Sequence, residues 1–348
     1  MDKLRCTWKR GAQVLYQLCK RLEAWYLVHF KLASIKPRVI ADCSAEYLGH
    51  SLNKKLLSGP DLLTPLINVL LGWREFKYAV MADIKAMFHC VMVLPEFRRF
   101  QRFLWFPNSD YNQEPVDLEF NVVVFGSICG PFLANDVVQQ CGRDNIIKVC
   151  SAIIALLKKA MYMDDFLKSF AKLDQAASAY AGLGDLLATA SMHLTKVFAH
   201  PDVLKSIKPD DIGSGVCDIS PGGDISSVGG SESTITKALG IIWNFVIDNL
   251  TFRVRVDTVK SITRRSMLKQ TAKMFDPMGL ACIFTLPAKI MIQTLFARKL
   301  GWDVDVPSDI KKLWTSWIQN IKKLEMIQIP RCLIPNTDYD ELALHVFL

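Results

Sequence analysis

Tyr162-Met163-Asp164-Asp165-Phe166-Leu167 is the stretch on which the fold turns. Two adjacent carboxylates stand between apolar, aromatic-rich flanks. Such flanks favour two short strands, with the Asp pair at or near the tight turn that joins them. Adjacent carboxylates repel, and desolvation makes their ionised forms still less favourable. A divalent cation removes that penalty, and Mg²⁺ prefers a few carboxylate oxygens together with waters and substrate phosphates. An Asp pair alone is more often a solvated turn than a metal site, so the pieces around it carry the weight.

A further carboxylate closes a buried apolar strand, in Val80-Met81-Ala82-Asp83-Ile84-Lys85-Ala86-Met87-Phe88. Alone, Asp83 reads equally as a turn residue or a helix cap. If the two strands are neighbours in one sheet, Asp83, Asp164 and Asp165 can hold two cations ~4 Å apart, the clamp used for in-line phosphoryl transfer.

The whole chain suits a folded protein of two or three packed units. It has 348 residues, of which 51% are hydrophobic and 22% charged, which excludes a disordered tail or a coiled-coil rod. No apolar run approaches the ~20 residues of a membrane span, and the N-terminus lacks the apolar centre of a signal peptide. The net charge of +8 is compatible with a polyanionic partner. Ten cysteines are dispersed with no C-x-x-C pair, which fits a reducing compartment, the cytoplasm or the nucleus. No Ser/His, Cys/His or HExxH arrangement offers another chemistry.

Periodicity predicts a helix over the first ~30 residues, through Leu15, Leu18, Leu22 and Trp25. Strands are expected over 77–83, 102–106 and 118–125, and helices over 62–73, from Gly130-Pro131 through Cys141, and before Met161. The tract 206–233, with SPGGDISSVGGSES, reads as a flexible loop. A strand pair turning at Asp248-Asn249 follows. Helices are then expected from about Thr258 to Phe275, from near Pro287 to Gly301, and from Asp309 to Lys323.

In order along the chain stand RVIADCSAEYLGHSLN, LLSGPDLL, VMADIKAMFHCV, RFLWF, VVVFGSICGPFLAN, YMDDFLKS, HLTK, ALGIIW and FDPMGLACIFTLPAKIMIQ. This set resembles the reverse transcriptase of BEL/Pao-type LTR retrotransposons, from about Trp25 to the C-terminus. The resemblance implies an α+β right-hand polymerase. Its N-terminal helix and shortened fingers would span 1–77. A palm would span 78–247, with a fingers insertion about 91–120. A helical thumb- or connection-like part would span 248–348 and end at DELALHVFL, where an RNase H domain would begin. The protease, RNase H and integrase of such a polyprotein would lie outside the chain.

By that resemblance Asp83 and Asp164 would hold two Mg²⁺ ions, with Asp165 assisting and Mn²⁺ as a substitute. Phe88 would pack under the incoming sugar and exclude a 2′-OH, whereas viral RNA-dependent RNA polymerases usually carry an acid there. Plain core packing is its other reading. Arg38 would contact the nucleotide triphosphate, with the backbone around Asp42, and Lys31 or Lys36 would supply a second cation. Gly126, Gly130 and Pro131 would lie beside template and nucleotide, with Phe125 where many retroviral relatives carry Gln. Lys196 would protonate the departing pyrophosphate, or is simply a solvated lysine. Leu239, Gly240 and Trp243 would form the primer grip. Arg265, Lys269 and Lys273 recur every fourth residue, as a phosphate-tracking stripe or a solvated helix face. The implied partners are an RNA or DNA template with its primer, and dNTPs. The alternative is a decayed or co-opted transposon remnant that binds nucleic acid without catalysis.

Overall fold

A computed structural model describes residues 25–26, 28–31, 38–46, 48–105, 113–114, 116–213, 234–257 and 261–335. The expected helix before Trp25, Lys36, most of the 206–233 tract and the DELALHVFL end lie outside the described residues. The described part is a mixed α and β structure. Its strands are β1 (Trp25–Tyr26), β2 (Val28–Lys31), β3 (Arg38–Ala41), β4 (Tyr78–Ile84), β5 (Arg102–Trp105), β6 (Val116–Glu119), β7 (Met161–Tyr162), β8 (Asp165–Phe170), β9 (Leu194–Ala199), β10 (Ile235–Ala238), β11 (Ile241–Asn244), β12 (Asn249–Thr251) and β13 (Ile329–Pro330). The longer helices are α1 (Leu66–Arg74), α2 (Gly130–Asp144), α3 (Ser151–Lys159), α4 (Leu173–Ala188), α5 (Arg264–Ala272), α6 (Cys282–Ala297) and α7 (Ser308–Ile321). Among the described residues no helix is long and apolar enough to cross a membrane.

Among the described residues four sheets form, in the orders β1-β5-β6, β2-β3, β7-β8-β4-β9 and β10-β11-β12-β13. The hairpins are antiparallel, and β1 runs parallel to β5. Residues 25–26 and 28–31 are therefore extended, not the end of a helix. Trp, Tyr, Val and Phe are strand formers, and here they find partners: Trp25 faces Arg102 in register, and Val28 faces Ala41.

The chain divides into two compact units. The first comprises 1–64, 83–166 and 178–195, and the second 65–82, 167–177 and 196–348. In the first, α2 starts at Gly130-Pro131, where proline suits the first turn. Gly142 on this helix leaves room for the Leu157 side chain of α3, whose Cδ1 would stand 2.9 Å from an added Cβ.

In the second unit, α5, α6 and α7 enclose a core that includes Met267, Ala288, Ile292, Leu295, Trp314 and Ile321. Thr263 and Ser266 cap α5 reciprocally. The helix expected from Pro287 begins five residues earlier, at Cys282, because Asp276 accepts the Leu280 and Ala281 N–H groups just before it. Pro287 sits inside it and removes the N–H that would reach the Ile283 carbonyl. Ile283 is 71% exposed, so water can take that carbonyl.

Arg331 anchors the end of the described chain to this unit. Its guanidinium is fully buried and forks onto Asp248, with Nε to Oδ1 at 2.6 Å and Nη2 to Oδ2 at 2.8 Å. It also donates to the carbonyls of Trp73, Phe76 and Lys77. Arg74, likewise buried, donates to the carbonyls of Pro330 and Arg331.

Candidate active site

The apolar run Ala79–Ala82 is buried, and Asp83 is the first partly exposed residue after it, so β4 delivers a carboxylate to the surface. The chain then turns at Ala86, which adopts φ 50°, into a helical turn carrying Phe88. On one side, the Ile84 N–H donates to the Asp164 carbonyl at 2.7 Å. On the other, the Lys85 N–H donates to the His193 carbonyl at 2.9 Å, and the Thr195 hydroxyl donates to the Asp83 carbonyl at 3.4 Å. The end of β4 thus lies between the segments that carry Asp164 and His193.

Tyr162 pairs with Asp165, leaving Met163-Asp164 as a two-residue loop. Met163 takes φ 56°, a left-handed conformation that costs a non-glycine residue energy. Asp164 lies in the loop and Asp165 opens β8; both are partly buried. Hard carboxylate oxygens on neighbouring segments are the donor set Mg²⁺ prefers. Among the described residues no three His, Cys, Asp or Glu side chains are grouped to hold a metal. Mg²⁺ does not require an all-protein cage, since one or two carboxylates with waters and substrate phosphates complete its shell.

Phe88 is 6% exposed, and its ring stands 4.4 Å, centroid to centroid, from that of Phe125. Its Cε1 would be 2.9 Å from a Cβ at Gly130, so glycine there lets the ring pass beneath the start of α2. Pro131 follows as the second residue of that helix. Gly126 has φ 108°, and a Cβ on it would meet the Ala41 carbonyl oxygen at 2.2 Å. Neither strain can relax without moving backbone. Gly126→Ala is expected to cost at least ~2 kcal/mol and lower the melting midpoint by several degrees. An unchanged thermal transition would contradict this placement.

Asp42 accepts the Ser44 and Ala45 N–H groups on Oδ1, at 3.1 and 3.0 Å, which closes a local turn. Arg38 stands opposite Lys31 in the β2–β3 ladder, so two cationic residues share a register position. Burial pushes the neighbouring Cys43 thiol up to about 12, with smaller contributions from Cys129 and Asp42, so it stays neutral.

Asn53 escaped the sequence reading. Its Nδ2 donates to the Gly126 carbonyl at 2.9 Å and to Ser44 Oγ at 3.0 Å, while its Oδ1 accepts the Ile128 N–H at 2.9 Å. One side chain therefore ties the Asp42 turn to the Gly126–Gly130 loop. Its only sequence signal is its place at the end of RVIADCSAEYLGHSLN.

The remaining candidates lie in the second unit. Lys196 is a β9 residue with φ 52°. Leu239 and Gly240 form a two-residue loop between β10 and β11, with φ 47° and 90°, the positive pair of a type I′ turn. Trp243 is fully buried and meets Trp73 edge-on at 5.0 Å, with Nε1 donating to Asp248. It anchors the hairpin from within. The stripe on α5 is neutralised: Arg265 forks onto Asp303, and Lys269 and Lys273 face Asp257.

The fold has a known counterpart. A foamy viral protease–reverse transcriptase, solved in complex with double-stranded DNA, matches with a TM-score of 0.53 at 11% identity. The chain is similar in fold to that enzyme. The match covers 91% of this chain and 48% of the viral one, so the chain spans about half the length of that relative. A family described as Pao retrotransposon-like RNaseH-like domain matches residues 263–348. That segment falls within 248–348, read from sequence as thumb- or connection-like with an RNase H domain beginning only at its end, whereas the match describes 263–348 itself as RNaseH-like; its described part is mainly α5, α6 and α7. No curated protein matches the chain.

Proposed function

We propose that the chain is the RNA-directed DNA polymerase domain of a BEL/Pao-type retrotransposon, arranged as a right hand. The observation that carries this reading is the 2.7 Å main-chain bond between Ile84 and Asp164, which sets two carboxylate-bearing segments side by side. The order of the sequence motifs and the likeness to a foamy viral enzyme support it.

Asp83, Asp164 and Asp165 are the residues that would hold two Mg²⁺ ions, or Mn²⁺ in their place. Bound there, the ions would supply charge neutralisation at the primer 3′-OH and the nucleotide phosphates. The chain's own part is positioning. Phe88, wedged between Phe125 and Gly130, presents a bulky edge that favours a sugar without a 2′-OH. Arg38 and the Asp42 turn contact the triphosphate. Gly126, Gly130 and Pro131 let backbone approach template and nucleotide, and Asn53 fixes their loop. Lys196 donates a proton to the departing pyrophosphate. The Leu239-Gly240 turn, held by buried Trp243, grips the primer.

Primer extension tests this reading. With poly(rA)/oligo(dT), dTTP and Mg²⁺, the native chain extends the primer; no extension overturns the proposal. The foamy viral counterpart was solved with double-stranded DNA, so a second reading is nucleic-acid binding without catalysis. Template–primer binding without extension in the same reactions selects it.

A further inference from the structure

A cavity of about 320 Å³ lies within the second unit, between the β10–β12 sheet and the 273–281 segment. Phe252, Phe275 and Met278 contribute apolar wall, and Lys237, Arg253 and Arg255 contribute positive charge. The acids nearby are already engaged. Asp276 accepts the Leu280 and Ala281 N–H groups, and Asp257 is taken by Lys273 and Lys269. Among the described residues neither Lys237 nor Arg255 has an ion-pair partner. Burial pushes the Lys237 ammonium down, and repulsion from Arg255 and Arg253 pushes it further. Cations crowded on a partly apolar hollow are stabilised by an anion that brings an apolar body with it.

We infer that this cavity is a binding site for a small phosphorylated aromatic ligand, its phosphate met by Lys237 and Arg255 and its ring lying against Phe252 and Phe275. The volume matches the lower range of small-molecule sites. Its volume suits one small molecule, whereas a strand is followed over several nucleotides, so a free small molecule is favoured. The site borders the proposed primer grip at Gly240, so competition with an oligodeoxynucleotide separates the two.

Calorimetric titration of the full chain with 1-naphthyl phosphate tests it, with inorganic phosphate and 1-naphthol as comparisons. The expected result is saturable binding of 1-naphthyl phosphate, at least about tenfold tighter than either comparison. Lys237→Gln and Arg255→Gln, both at exposed side chains, should each weaken it at least about fivefold with unchanged thermal transitions. Equal binding of inorganic phosphate, or affinity unaltered in both variants, would overturn the site. An oligodeoxynucleotide that displaces 1-naphthyl phosphate and loses affinity in the same variants would overturn the small-molecule assignment in favour of a strand.

Discussion

Asp164→Asn should reduce primer extension by at least ~100-fold while leaving the fold intact. Asp164 sits in a two-residue hairpin loop, partly exposed, and Asn fits that loop as well as Asp does. The substitution removes one negative charge and almost no volume. A carboxylate that holds a catalytic cation supports several kcal/mol of transition-state charge stabilisation, and each 1.36 kcal/mol is about tenfold in rate. Single-turnover incorporation on a preformed template–primer complex separates this loss from weaker binding. Equal rates for the native chain and the variant would remove Asp164 from the chemistry.

The second large effect is on stability. Arg331→Met should destabilise the chain by ~2–4 kcal/mol, because it unmakes a partly buried ion pair and three main-chain hydrogen bonds at once. Met matches the length of the arginine stem but strips the fork from the Asp248 carboxylate, which keeps only Trp243 Nε1 and partial contact with water. It also abandons the carbonyls of Trp73, Phe76 and Lys77, which are 254 to 258 residues away along the chain. Arg331→Lys should recover little, because a single ammonium cannot reproduce the fork onto Asp248 and the carbonyls together. Urea denaturation followed by circular dichroism measures both. A loss below ~1 kcal/mol for Arg331→Met would show that the network is dispensable.

What the sequence made legible were features with short-range causes. The strand ending at Asp83, the hairpin around Asp164-Asp165 and the helix from Gly130-Pro131 all follow from local pattern and turn chemistry, and each is present. The split of 235–244 into two strands was hidden because Leu239 enters the left-handed region that glycine usually occupies. The start of α6 was misplaced because Pro287 reads as a first-turn residue, whereas Asp276 sets that start from outside the helix. The strands at 25–26 and 28–31 depend on partners at 102–103 and 38–41, which periodicity within one segment does not register. Asn53 and Arg331 were invisible for a similar reason. Most of their partners lie tens or hundreds of residues away, and an isolated Asn or Arg looks like any surface polar group.

The three acids carry the central claim, and cation binding itself tests it most directly. Mn²⁺ titration by electron paramagnetic resonance, on the full chain with template–primer and a non-reacting dNTP analogue, should show two bound ions per chain. Asp83→Asn and Asp164→Asn should each remove at least one of them. Binding that is the same in the native chain and in both variants would mean that these carboxylates do not share the metal.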